Sequence, residues 1–281
     1  MSAGAAGLKM RTKLKIVGGL AGLVAVVWSG IRVKPPRFES PRRTRRKPGS
    51  VDLPADLPAP VARYARAVFG ESIPVVDTAL IIGCADLRLG GIAWKGRFRF
   101  FHQAGSAYRH EIQLTWFGLP LITVDEKYED GQAIMKLPGR RIEHDEKTNR
   151  SANLGLWAES IWLPSIWFTD DRTQWVAVDD TTARLIVPDA AAEEQFTITF
   201  DAGTDLIKEM RTQRYQESGD PARHRWTNTA REWGEQNGIR IPLVITTAWD
   251  DAKPWAVWSV DDVMYNIDVS GRLAGAGRVP D

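Results

Sequence analysis

Trp226-Thr-Asn-Thr-Ala-Arg-Glu-Trp-Gly-Glu-Gln-Asn237-Gly238-Ile-Arg-Ile-Pro-Leu-Val-Ile-Thr-Thr247 reads as two extended runs joined at Asn237-Gly238. Asn-Gly readily supplies both positive φ angles of a type I′ turn, so the stretch is predicted to be a β-hairpin. The same pattern recurs outward from it. Gly90-Gly91 separates a strand at Leu80 to Leu89 from one at Ile92 to Phe101, and Asp130-Gly131 separates Leu121 to Tyr128 from Gln132 to Leu137. Asp201 to Thr204 makes a looser connection after Phe196, Ile198 and Phe200. Regularly spaced turns between period-two segments predict a mainly antiparallel β fold.

Facing follows from the period of two. Tyr108, His110, Ile112, Leu114 and Trp116 share one side of a strand, and Arg109, Glu111, Gln113 and Thr115 share the other, so one face is buried and the other wet. Two segments break the pattern. Val61, Tyr64, Ala65, Val68 and Phe69 fall at helical spacing between Pro60 and Gly70, and Leu154, Trp157, Ile161 and Trp162 do so until Pro164 interrupts. A short helix therefore precedes the strands and a second is inserted among them.

The 281-residue chain is 43% hydrophobic and 26% charged, enough to bury a core, and one β-rich domain of ordinary size is the expectation. Its net charge of +2 conceals an asymmetry, because Arg32, Lys34, Arg37, Arg42, Arg43, Arg45, Arg46 and Lys47 lie in one Pro-rich stretch. That charge sits beside an apolar run rather than over a folded face, which favours anionic headgroups as partner and argues against nucleic acid. The run itself, Leu14 to Val33 with Lys15 and Arg32 at its margins, is long enough as a helix to cross about 30 Å of hydrocarbon, with Trp28 at an interface. Its glycines Gly18, Gly19, Gly22 and Gly30 suit a membrane helix better than a soluble one. A cleaved signal peptide is the competing reading, since Lys9, Arg11, Lys13 and Lys15 precede the run, although no Ala-x-Ala-like site follows. Orientation stays open between the basic flank after the span and the export-like start before it; the latter favours a domain outside the cytoplasm at the cell membrane. The expected organisation is a basic tail (1–13), a transmembrane helix (14–33), a Pro/Arg-rich tether (34–60), the β-rich domain (61–270) and a flexible tail (271–281).

The block Ala152-Asn-Leu-Gly-Leu-Trp-Ala-Glu-Ser-Ile-Trp-Leu-Pro-Ser165, with Val178-Asp-Asp-Thr-Thr-Ala-Arg-Leu185 and Trp249 to Asn266, resembles an uncharacterised family of bacterial membrane-anchored proteins over Val51 to Val269. That resemblance implies no activity. In element order the chain is more distantly similar to lipoprotein carriers and acceptors of the LolA and LolB type. This likeness implies a curved sheet or half-barrel with a central helix on its concave face, enclosing an apolar cavity.

Candidate chemistry is sparse. No Gly-x-Ser-x-Gly, P-loop, Gly-x-Gly-x-x-Gly or His-Glu-x-x-His pattern occurs. The single Cys84 excludes an intrachain disulfide and a cysteine cluster, and its apolar setting predicts a buried, inert thiol. His110 and Glu111 point to opposite faces and cannot act together; His110, on the apolar side, reads as a core or cavity-rim histidine. Glu143, His144, Asp145 and Glu146 form a solvated charge run rather than a metal motif, and Asp179-Asp180 reads as a turn. Glu159, on the central helix among tryptophans, needs a partner such as Arg184 or Arg211. All twelve tryptophans but Trp28 lie outside the anchor, enough for a large aromatic core or the lining of a pocket.

These observations favour a membrane-anchored, non-enzymatic protein that binds a lipid, acyl chain or other apolar ligand, with Tyr108, His110, Trp116, Trp157, Ile161 and Trp162 as the binding residues. No cofactor, metal or catalytic residue is expected. The alternatives are a protein-interaction domain with no cavity, and a hydrolase using His110, His144 or Glu159.

Overall fold

The structure, a computed structural model, describes residues 25–41, 48–189 and 194–274. After a two-stranded sheet of β1 (Ser50–Asp52) and β2 (Ser72–Pro74), with helix α1 (Ala59–Phe69) between them, come two antiparallel meanders. The first is β3 (Thr78–Leu89), β4 (Ile92–Gln103), β5 (Ala107–Trp116), β6 (Leu119–Glu129), β7 (Gln132–Leu137) and β8 (Arg140–Glu143). The second is β9 (Gln174–Asp179), β10 (Thr182–Val187), β11 (Glu194–Phe200), β12 (Ile207–Arg214), β13 (His224–Gln236), β14 (Ile239–Trp249) and β15 (Ala256–Tyr265). Pairing of β15 with β3 joins them into one thirteen-stranded sheet in the order β8-β7-β6-β5-β4-β3-β15-β14-β13-β12-β11-β10-β9, which is not closed.

Between the meanders runs helix α2 (Glu146–Glu159), then a 3₁₀ turn (Ser160–Trp162) and the short α3 (Ile166–Thr169). Pro164 ends the helical run at the expected place, and the charge run before it supplies the start: the Asp145 carboxylate accepts from the Thr148 amide at 2.7 Å as N-cap. Helix α2 touches β6 and β7 on one side and β12 on the other. Seven strand spacings separate β6 from β12, roughly 34 Å along a flat sheet, whereas a helix is only about 10 Å across. The sheet must curl around the helix to reach it from both sides.

The concave face and the helix share one core, in which Trp157, Trp167, Phe98 and Phe196 are each below 2% exposed. The convex face carries the wet side of the alternation, with cross-strand pairs Arg99–Glu111 at 2.5 Å and Arg109–Asp125 at 2.8 Å. The turns obey the sequence: Asn237 and Gly238 have φ of 51° and 86°, and Gly90 and Gly91 are also positive. The tip Phe117-Gly118, not anticipated, uses φ of 48° and 78°. Cys84 is buried on the convex side, and burial followed by the neighbouring Asp261 pushes its thiol up to about 11, an inert group.

Three expectations concern the ends. Residues 14–24 of the apolar run lie outside the described residues; 25–30 are helical, and among the described residues no helix is long and apolar enough to cross a membrane. The tether is not free of the domain where it is described. Phe38 is buried on the convex face with Leu80, Ile82 and Phe101, beneath the guanidinium groups of Arg97 and Arg99 at 4.4 and 4.5 Å, and Ser40 bonds Asp262 at 2.7 Å. Pro35 is buried as well and Arg97 donates to the Pro36 carbonyl at 3.1 Å, so the segment is seated on the convex face at several points. The basic residues at 42–47 lie outside the described residues. At the other end the tail does not begin at 271: α4 (Ser270–Leu273) packs Leu273 into the Phe38 patch, and the Arg272 carbonyl accepts from Arg109 at 2.9 Å.

Trp157 and Trp116 should therefore behave oppositely on truncation. Trp157→Ala empties a fully packed site and is expected to cost about 3–5 kcal/mol. Trp116→Ala, at a 36% exposed position, is expected to cost under about 1 kcal/mol. Urea unfolding followed by far-UV circular dichroism checks both.

Candidate functional site

Period-two alternation sends Phe98, Phe100 and His102 of β4, and Tyr108, His110 and Ile112 of β5, to the concave face. Glu126 of β6 is directly opposite His110 in the ladder and so shares its side. On α2, Gly155, Ala158 and Glu159 form the stripe facing these strands, and the 3₁₀ turn adds Ile161 and Trp162. From the second meander come Arg214 of β12, Trp226 and Asn228 of β13, Ile245 and Thr247 of β14 and Trp258 of β15. All of these but Phe98 and His102, which are packed behind it, line a cavity of about 120 Å³ between helix and sheet that opens to solvent.

One end of this cavity is a buried polar cluster. Glu159 Oε2 lies 2.7 Å from His110 Nε2 and 3.1 Å from His102 Nε2, and His110 Nδ1 lies 3.9 Å from Glu126 Oε2. The Tyr108 hydroxyl donates to the other Glu126 oxygen at 2.5 Å. The His110 ring is held between Tyr108, 3.9 Å away and nearly parallel, and Phe100, 4.1 Å away. Arg214 donates to the Ser151 carbonyl at 3.0 Å and lies over Trp226 at 4.4 Å.

The charges of this cluster hold one another. Burial works against ionisation of Glu159, but the charge on His110 and the contacts from both imidazoles outweigh it and hold the carboxyl down to about 2. Burial likewise opposes the His110 cation, and Glu159 with Glu126 overcomes it, raising the imidazole to about 9. His102, with no exposed surface, is lowered by burial despite the pull of Glu159 and remains neutral. Arg214 is lowered by burial, and the nearby carboxylates act against that.

The opposite wall has hydrogen-bond donors without acceptors. Trp258 Nε1 donates to Thr247 Oγ1 at 3.1 Å and Thr247 Oγ1 donates to Asn228 Oδ1 at 2.8 Å. Asn228 Nδ2, Trp226 Nε1 and Trp255 Nε1 are buried with no partner among the described residues, all in residues that line the cavity. Groups of this kind cost about 1–3 kcal/mol each when unsatisfied.

Of the six expected binding residues, Tyr108, His110, Ile161 and Trp162 line the cavity. Trp157 does not: it points off the cavity stripe of α2 into the packed core, where its carbonyl accepts from Trp167 at 3.2 Å. Trp116 does not either. It ends β5 beyond the register shift at Leu114/Thr115, and a Cβ on Gly30 would overlap its indole. The expected partners of Glu159 are elsewhere. Arg211 pairs with Glu209 and Arg184 is exposed, both on the outward parity of their strands. His144 lies in the turn before α2 at φ 57°, and Asp179 accepts from the Thr181 amide at 2.8 Å in the expected turn. His102, Glu126 and Arg214 were not singled out from sequence; His102 alone carried a signal, two and four residues from Phe100 and Phe98.

Removing one partner of this buried cluster should be costly. In chelator-treated protein, Glu159→Ala is expected to lose about 3–5 kcal/mol, because it strands the His110 charge. Thermal and urea unfolding measure it; a change within about 0.5 kcal/mol would place Glu159 in solvent instead.

A family model described as a family of unknown function, DUF6544, matches residues 49–260. No curated protein is significantly similar in sequence. Among solved structures, the chain is similar to a LolA superfamily protein from Nitrosomonas europaea, at TM-score 0.44 and 10% identity, covering 76% of this chain and 94% of that one. It is also similar to a putative outer membrane lipoprotein-sorting protein domain from Vibrio parahaemolyticus, at TM-score 0.43 and 7% identity, over 70% and 90% of the two chains. A DUF1329 family protein from Desulfovibrio piger has TM-score 0.43 and 12% identity over 70% and 89%. These likenesses are loose, and the chemistry of the site rests on this chain's own residues.

Proposed function

The chain belongs to the DUF6544 family, and we propose that this member is a binding protein for a single-chain amphiphile whose head bears hydrogen-bond acceptors. The observation that carries the reading is the pairing of aromatic walls with three buried N–H donors that have no acceptor, in Trp226, Trp255 and Asn228. A carboxylate, ester or amide oxygen at that wall would satisfy them, while Phe100, Ile112, Trp162 and Ile245 enclose the chain.

Size selects among apolar ligands. At ~10–15 Å³ of this measure per water, the cavity holds on the order of ten waters, the bulk of one medium-length acyl chain rather than of a two-chain phospholipid. Burying about eight methylenes contributes roughly 6 kcal/mol, part of it offset by ordering the ligand.

Attachment at a membrane is part of the proposal. Its support is the apolar run Leu14 to Val33 together with a cluster of exposed apolar side chains where that run meets the domain. Trp28, Phe117, Leu119 and Leu121 are 47%, 45%, 70% and 56% exposed, and the Phe117 amide bonds the Gly30 carbonyl at 2.7 Å. An exposed apolar rim beside an apolar segment suits the headgroup boundary of a bilayer.

Titration of the full-length protein with decanoate and its methyl ester, read by calorimetry and tryptophan fluorescence, tests the ligand. Binding in the micromolar range is expected, weakened about 5- to 30-fold by Trp226→Phe, which removes a donor and keeps the ring. Gly155→Leu fills the cavity from the helix, since a Cβ there meets nothing nearer than 3.9 Å, and is expected to abolish binding with folding intact. Saturable binding that survives Gly155→Leu, or none up to millimolar ligand, would sink the reading.

A further inference from the structure

The geometry points to a metal site at the polar end of the cavity: His102 Nε2, His110 Nε2 and Glu159 Oε2 bind one divalent transition-metal ion. The three atoms lie within 4.8 Å of one another, from three elements, β4, β5 and α2. Glu159 Oε2 is 2.7 and 3.1 Å from the two imidazole nitrogens. Ligand atoms on a tetrahedral ion with bonds of ~2.0–2.1 Å are roughly 3.3 Å apart, so the two Glu159 contacts are already near that spacing and the two imidazole nitrogens, within 4.8 Å, close on the ion by at most about 1.5 Å.

The second observation is that these atoms approach without satisfying one another. His102 has no exposed surface and His110 only 4%, yet neither Nε2 nor Glu159 Oε2 has an aligned hydrogen-bond partner. A cation at their common centre takes one lone pair from each of the three groups, and the proton that His110 carries in the metal-free protein is released to solvent as the ion binds. Two imidazoles and one carboxylate suit Zn²⁺ and its first-row neighbours, and they are poor ligands for Ca²⁺ or Mg²⁺.

The surroundings fit a metal ligand set. Glu126 stands behind His110 on its Nδ1 side at 3.9 Å and is itself held by the Tyr108 hydroxyl, the arrangement in which an outer carboxylate orients a ligating imidazole. Stacking between Tyr108 and Phe100 leaves the His110 ring little freedom to turn away. Because His110 and Glu159 also line the cavity, a remaining coordination position would be open to a small molecule there. The site stands apart from the amphiphile reading, since the donor wall of Trp226, Asn228 and Trp255 does not take part in it.

The test uses the full-length, tag-free protein, stripped with chelator and titrated with Co²⁺ while the visible d–d bands are recorded, then with Zn²⁺ in competition. One Co²⁺ per chain, displaced by one Zn²⁺, is expected. His102→Ala and Glu159→Gln should each weaken binding at least about 100-fold, and Glu126→Gln, which keeps all three ligands, about 10- to 100-fold. His144→Ala, in the loop before α2, should leave it unchanged. Should His102→Ala fail to fold by near-UV circular dichroism, Glu126→Gln carries the test. The absence of d–d bands and of any Zn²⁺-dependent rise in Tm up to millimolar metal would overturn the site and leave an internal ion pair. Binding that is lost in His144→Ala, or unaltered in Glu126→Gln and Glu159→Gln, would overturn it equally.

Discussion

Helix α2 packs by its inner stripe against a sheet far wider than itself, and most features of this molecule follow from that contact. A thirteen-stranded antiparallel sheet has two edges and one face to bury. Helices α1 and α2 can cover that face only if the sheet curls, and curling brings β6 and β12 to opposite sides of α2. Leu154 and Trp157, to either side of the stripe that borders the cavity, fill the core, whereas Gly155 and Ala158 on it are too small to reach the sheet, so the cavity is the space those two residues leave.

The same contact delivers Glu159 into an apolar interior, where a carboxylate without compensation would cost several kcal/mol. Compensation comes from across the sheet. His110 and His102 approach from β5 and β4, Glu126 stands opposite His110 in the ladder, and Arg214 closes the group from β12. The cluster is thus built from both meanders and from the helix between them. Its polarity at one end and the aromatic walls at the other make the cavity amphipathic.

Local rules predicted much of the fold. Asn237-Gly238 and Asp130-Gly131 turn as their φ preferences require, Pro164 ends the helical run, and His110 and Glu111 face opposite ways. The site was only partly legible. Parity excluded Arg211 as a partner of Glu159, because its neighbour Met210 is buried on the concave side, and the same holds for Arg184 between Ala183 and Leu185. Trp157 fails as a ligand residue because helical spacing identifies a buried face without separating the part that touches side chains from the part that borders a void. Trp116 fails because the register shift at Leu114/Thr115 ends the regular pairing on which the alternation depends.

By itself the sequence determined what is set within a few residues: turn type, strand parity, the break at Pro164 and the apolar character of Leu14 to Val33. Tertiary structure alone decided that β3 lies beside β15, that Phe38 seats on the convex face, and that His102, His110 and Glu159 meet. The physical reason is that parity and helical spacing assign a side chain to a face. The atom across from it depends on which distant strands pair and how far the sheet must curl to enclose its helix.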